Sequence, residues 1–210
     1  MSDTNAVSGH YTSGKLMERL KASLAEDGAD PEQPTLEALA PYDHFHGRGL
    51  EATVELANEL KIDSEHRILD IGCGIGGPAR YMADRFGCQV TGIDLTAEFC
   101  DVARALNTAV NLSDRVTIEE GNALGMPFAD GSFEGAYSMN VSMNIEDKDT
   151  LYREIHRVLK PRGWLALSEL ASASGGGRAA LDGSLEVRQW PVRHRPVRRP
   201  IGQRHERGIN

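Results

Sequence analysis

Apolar residues along the chain follow two rhythms, a helical period of three to four and short unbroken runs of four to seven. In residues 13–26, SGKLMERLKASLAE, Leu16, Leu20 and Leu24 recur every four positions. That spacing predicts an amphipathic helix with Ser13 as its cap. The turn-rich DGADPEQP (27–34) breaks it, a short helical turn is expected over residues 36–40, and PYDHFHGRG (41–49) reads as an aromatic, histidine-rich loop. A further helix is expected over LEATVELANEL (50–60), with Leu50, Val54, Ala57 and Leu60 on its inner face.

From Arg67 the pattern changes to short strands separated by helices. RILDI (67–71), CQVTGI running to Asp94 (88–94), VTIEE (116–120), FEGAYSM (133–139) and WLALSEL (164–170) are the expected strands. Between them, Pro78 opens a helix continued by ARYMADRF, and AEFCDVARALNTAV (97–110) carries Phe99, Val102, Leu106 and Val110 along one side. LYREIHRVLK (151–160) is a helix with Leu151, Ile155, Val158 and Leu159 inward, stopped by Pro161 and Gly163. Alternation of this kind predicts an α/β fold, a doubly wound, mainly parallel sheet covered on both faces. In such sheets ligands bind beyond the carboxyl ends of the strands, where strand order reverses.

Composition narrows the class. The chain has 210 residues, 40% hydrophobic and 26% charged, with a formal net charge of −8. No run approaches a membrane span and the N-terminus MSDTNAVSGH lacks a signal peptide's apolar core, so a cytoplasmic protein is expected. Three scattered cysteines, Cys73, Cys88 and Cys100, give neither a disulfide framework nor a CxxC metal site and are read as reduced, buried thiols. Residues 1–174 carry 15 Lys and Arg against 28 Asp and Glu. An acidic body argues against nucleic acid as a partner. Residues 175–210 carry eight arginines and three acids, and read as a disordered basic tail.

The strongest local motif is LDIGCGIGGP (69–78), a strand end, a glycine turn and a helix start. Gly72 and Gly74 allow positive φ and close backbone approach to a ligand, and the helix start offers free N–H groups to an anion. Gly72, Gly74 and Gly77 also fit the GxGxxG of dinucleotide binding, with Asp94 about 20 residues on where an acid would hold a ribose diol, so a nicotinamide-dependent oxidoreductase stays open on this motif alone.

Asp70 before the glycines, GID at Asp94, GNALGMPF (121–128), MNIEDK (143–148) and RVLKPRGWLALSE (157–169) occur in order. Together with DIGCGIGG they resemble the class I S-adenosylmethionine-dependent methyltransferases, in particular the methyltransferase type 11 domain, over residues 40–170. The resemblance implies a Rossmann-like fold with an N-terminal helical lid, and S-adenosyl-L-methionine as cofactor. It places Asp70 and Gly72 at the methionine portion, Gly74 where the cofactor passes the backbone, and Asp94 at both ribose hydroxyls. Leu95 and Ala123 would flank the adenine, Asn122 would accept from its amine, and Asn140 would lie by the cofactor. A carboxylate, being acceptor-only, suits a vicinal diol.

In-line methyl transfer needs a placed acceptor and excluded water more than a fixed catalytic group. Two segments could supply one: the DxFH pattern at 43–46, with His46 as the base or orienting candidate, and residues 138–144, with Asn144. His44 and His46 alternate, but no third ligand suggests a metal site. DxFH and MNIEDK are similar to the sarcosine/dimethylglycine-type N-methyltransferases, which implies a small amine or amino acid as acceptor, with O- or C-methylation of a natural product second. The expected organisation is a lid segment at 1–48, the cofactor domain at 49–174 and the tail at 175–210. The family's last two strands are not found, and the abrupt change in composition suggests a shifted reading frame. Such a chain would expose a sheet edge that favours a homodimer, and could bind the cofactor without turnover.

Overall fold

The computed structural model describes residues 14–169; the basic tail, the Ser13 cap and the question of further strands lie outside them. Five strands, β1 (Arg67–Ile71), β2 (Gln89–Asp94), β3 (Val116–Glu120), β4 (Phe133–Met139) and β5 (Leu159–Ser168), form one sheet in the order β3-β2-β1-β4-β5. Every neighbouring pair is parallel. The order reverses between β1 and β4, so a crevice opens at their carboxyl ends. Sequence and structure agree on β1, β3 and β4 residue for residue, and β2 starts one residue late.

Alternate strand residues feed two cores, because successive side chains leave opposite faces of a strand. Ile68, Val90, Ile118 and Tyr137 pack on one face with α3 (Gly49–Glu59) and α4 (Gly77–Phe86). Leu69, Ile71, Ile93 and Ala136 pack on the other with α6 (Lys148–Val158). Helix α5 (Ala97–Ala109) presents Cys100 and Ala103 to the first core, and Val102 and Leu106 outward to a third cluster. That cluster is filled by Leu20 and Leu24 of α1 (Leu16–Glu26) and Leu39 of α2 (Leu36–Asp43), together with Ile75 of the glycine loop. The N-terminal helices therefore dock on α5 and on the loop itself. No helix among the described residues is long and apolar enough to cross a membrane. The three cysteines are free and buried.

Four local expectations need correction. Helix α2 runs on through Pro41 to Asp43, capped by Thr35, whose hydroxyl accepts from Ala38 N–H, so the aromatic loop is shorter than expected. Helix α3 buries Ala52, Thr53, Leu56 and Ala57, while Leu50 is exposed, so its inner face is rotated from the apolar stripe. Helix α6 starts at Lys148, where the Asp147 carboxylate accepts from Thr150 N–H, three residues earlier than its apolar period shows. It also ends at Val158: Leu159 already pairs with Phe133, a register shift absorbs Pro161 to Gly163, and Trp164 lies over Gly135.

One buried ion pair locks the end of α2 to the glycine loop. Arg80, fully buried in α4, donates to Asp43 Oδ2 (2.9 Å), to Ile75 O (2.8 Å) and to Asn107 Oδ1 (2.8 Å). Asn107 in turn donates to Val116 O. A Cβ on Gly77 would stand 2.2 Å from Asp43 O, so only glycine lets α2 end this close to α4. Removing one partner of a buried pair strands the other's charge. Asp43→Ala is expected to lower unfolding free energy by about 3–5 kcal/mol, read by urea denaturation. A loss under about 1 kcal/mol would show the pair to be dispensable.

Candidate active site

The glycine loop is shaped by what it must fit beneath. Gly72 has φ +74°, and a Cβ there would meet Val141 at 2.4 Å. Its N–H and that of Cys73 donate to Ile93 O (2.8 and 3.2 Å), which binds the end of β1 to the end of β2. At the tip of β2, Asp94 completes the turn: Gly74 N–H donates to Oδ2 (2.9 Å) and Thr96 N–H to Oδ1 (2.9 Å). Each carboxylate oxygen keeps a further lone pair for a ligand.

These tips border a cleft of about 1000 Å³. All ten residues singled out in the sequence line it: Asp70, Gly72, Gly74, Asp94, Leu95, Asn122, Ala123 and Asn140 on the strand tips and loops, His46 from the segment between α2 and α3, and Asn144 from the turn after β4. Asn122 Oδ1 accepts from Leu124 N–H (2.9 Å), so the amide holds its own turn while lining the cleft. Asn140 has φ +56°. Its side-chain amide is oriented to donate to Ser168 O (3.2 Å) and accept from Gly47 N–H (3.1 Å), joining β4, β5 and the segment between α2 and α3.

His46 is held in place. Its Nε2 lies 3.1 Å from Thr53 Oγ1 and its Nδ1 3.4 Å from Gly47 O. Burial pulls its pKa below the ordinary histidine value, which keeps the ring neutral near pH 7. Asn144 ends a 3-10 turn, Ser142–Asn144, and its Nδ2 donates to Asn140 O (3.4 Å). The turn is held at both ends. Glu169 accepts from Ser142 N–H (2.9 Å) and Met143 N–H (3.2 Å), while Lys148 Nζ donates to Ser142 O and Ile145 O.

The sequence did not point to Tyr137, Thr53, Arg80 or Glu169, each of which acts by holding another group. Tyr137 reads only as an inward residue of β4, yet its hydroxyl donates to Asp70 Oδ2 (2.9 Å). Asp70 is 2% exposed. Burial, opposed by the Tyr137 hydrogen bond and reinforced by Asp94, pushes its pKa up to about 7. The unfolded chain ionises this carboxyl near pH 4, so the folded state loses stability as pH rises from about 4 to 7. Asp70→Asn is expected to flatten that slope and to stabilise the protein at pH 8, by on the order of 3 kcal/mol. Thermal and urea melts across pH 4–8 would show it; parallel profiles for both proteins would refute it.

With this geometry in hand, the known relatives fall into place. Residues 69–167 match the methyltransferase domain family. The methyltransferase GfsG of Streptomyces halstedii is 31% identical over 156 residues, covering 73% of this chain and 54% of that protein. A putative sarcosine dimethylglycine methyltransferase from Galdieria sulphuraria superposes with TM-score 0.56 at 29% identity, over 57% of this chain and 46% of that one. The [4+2]-cyclase SpnF superposes with TM-score 0.65 at 27% identity, over 86% and 65%. Further relatives are named as sterol C-, phosphoethanolamine N- and O-methyltransferases. The chain spans 24–63% of the length of the curated relatives it matches. The matched family settles which of the two readings of the glycine spacing holds: residues 69–167 are a methyltransferase domain with the class I S-adenosylmethionine-dependent methyltransferase fold.

Proposed function

We propose that the chain transfers a methyl group from S-adenosylmethionine to a small acceptor, an amine or amino acid, in the cytoplasm. The observation that carries this reading is the Asp94 carboxylate. It is anchored by two backbone N–H groups at the tip of β2, beside the glycine loop, and borders the cleft. The cleft fits the cofactor on three counts. Its volume is that of a ligand pocket. Glycine at 72 leaves the backbone open where a side chain could not stand. Its carboxylates suit a molecule bearing an ammonium and a sulfonium.

When bound, the cofactor supplies an activated methyl group on a positively charged sulfur. The chain's residues bind and orient around it. Asp94 accepts from the two ribose hydroxyls, and Leu95 and Ala123 cover the faces of the base. Asn122 meets the base edge with the amide capacity its own turn leaves over. Asp70 and Gly72 take the methionine end, Gly74 lets the chain pass close, and Asn140 borders it. His46 and Asn144 orient the acceptor, while residues 14–48 cover the cleft and exclude water. A neutral His46 can take a proton from an acceptor once its bond to Thr53 is exchanged for one to the substrate.

Calorimetric titration of the full chain with S-adenosylmethionine tests the reading. Asp94→Asn removes the charge and, because an amide nitrogen cannot accept, one of the two backbone anchors; it should weaken binding at least about tenfold at a temperature where the variant is still fully folded by its melting curve. Undiminished affinity in that variant would refute the assignment. Asp70 must be ionised to attract the methionine ammonium. Affinity should therefore fall as pH drops below 7, up to about tenfold per unit, and Asp70→Asn should abolish the dependence.

A further inference from the structure

Phe45 stands where its type does not lead one to expect it. Among the described residues, Phe45, Leu50, Met143 and Tyr152 are the large apolar side chains left exposed, and of these Phe45 lines the cleft. It is 57% exposed. An aromatic ring left open in the wall of a ligand cleft marks a contact surface for the ligand.

The ring is also held in place. Asp43, two residues before it, is tied to Arg80, and His46, directly after it, lies 3.1 Å from Thr53 Oγ1. Its ring packs on Phe99 of α5, with centroids 5.8 Å apart and planes tilted by 52°. Both neighbours in the chain and the ring beneath it therefore fix where Phe45 stands.

That place is the open backbone of the glycine loop. A Cβ built on Gly74 would lie 3.7 Å from Phe45 Cδ2. Gly74 N–H donates to Asp94, and Asp70 ends the strand that leads into the loop. In S-adenosylmethionine the sulfur is the atom that joins the ribose to the methionine chain. With the ribose at Asp94 and the methionine ammonium at Asp70, the sulfur has to cross the loop between them, beside Phe45. There it carries a positive charge, which the demethylated product, a neutral thioether, has lost. An aromatic ring attracts a cation within about 6 Å through its quadrupole, whereas a thioether keeps only the sulfur–aromatic contact.

We propose that Phe45 distinguishes the cofactor from its spent product: its ring meets the sulfonium beside Gly74 and loses that attraction once the methyl group has gone. This rests on the methyltransferase reading and deepens it, since it gives the cleft a means of releasing the product in favour of fresh cofactor. Asp70 and Asp94 attract the same charge but are unchanged by substitutions at 45, so such substitutions isolate the contribution of the ring.

Calorimetric titration of the full chain with S-adenosylmethionine and with S-adenosylhomocysteine, in one buffer, tests this. Phe45→Leu keeps an apolar cover without a ring, and at an exposed position it should leave the melting curve nearly unchanged. It should lower the preference for the sulfonium, read as the ratio of the two Kd values, by at least about threefold. Phe45→Trp, which keeps a ring, should hold that ratio within about twofold of the parent or raise it. Equal weakening of both ligands in Phe45→Leu, or a Phe45→Trp that loses the preference as Phe45→Leu does, overturns the inference and leaves the methyltransferase reading intact. Binding of neither ligand by the parent chain overturns both.

Discussion

A guanidinium buried without contact to water must have its charge answered within the protein, and the way Arg80 is answered organises this molecule. Its hydrogen bonds reach the end of α2, the carbonyl of Ile75 in the glycine loop, and Asn107 on α5, which continues to β3. The desolvation cost of such a group is large, so each partner is held where it is needed. Helix α2 is thus fixed to the loop that borders the cleft. Asp43 also receives His44, whose Nδ1 lies 2.6 Å from Oδ1, so the DxFH segment starts from a fixed point and delivers Phe45 and His46 to the cleft wall.

The glycine loop shows the same economy at the backbone level. Asp94 spends one lone pair on each side of the turn and keeps others for a ligand. Gly72 sits under Val141 and Gly77 under Asp43, so the loop is closed by the segment after β4 and by the end of α2. Groups that would bind one ligand therefore also hold the site's shape. Charge reduction at Asp94 separates the two roles better than truncation.

The strands could be read from the sequence because their burial follows directly from runs such as RILDI and FEGAYSM, with glycine or aspartate at the ends. The convergence of eight of the ten selected residues on one cleft follows from the same cause: they lie at or just past the carboxyl tips of parallel strands, while His46 comes from the segment between α2 and α3 and Asn144 from the 3-10 turn. What the sequence hid was the residues whose environment contradicts their type. In ARYMADRF nothing in the spacing separates Arg80 from Arg85 as the buried arginine, and only the fold shows Asp43 arriving from 37 positions away to neutralise it. In helix α3, Thr53, polar by type, is buried against His46 and Met139, while Leu50 stands exposed. Strand β5 begins five residues early because a proline and a glycine, read as a stop, instead form a bulge within a pairing that has already begun.

That bulge reaches further than its own strand. Glu169 follows directly on β5 and grips the two amides that open the 3-10 turn, so Asn144 takes its height from the pairing of β4 with β5. One residue gained or lost between Leu159 and Trp164 would slide the carboxylate by about 3.3 Å and invert which face each following side chain meets. A hairpin-sized irregularity at the base of the sheet thus acts as a spacer for the opposite end. Sequence drift there would shift Asn144 within the cleft without altering a single residue that lines it.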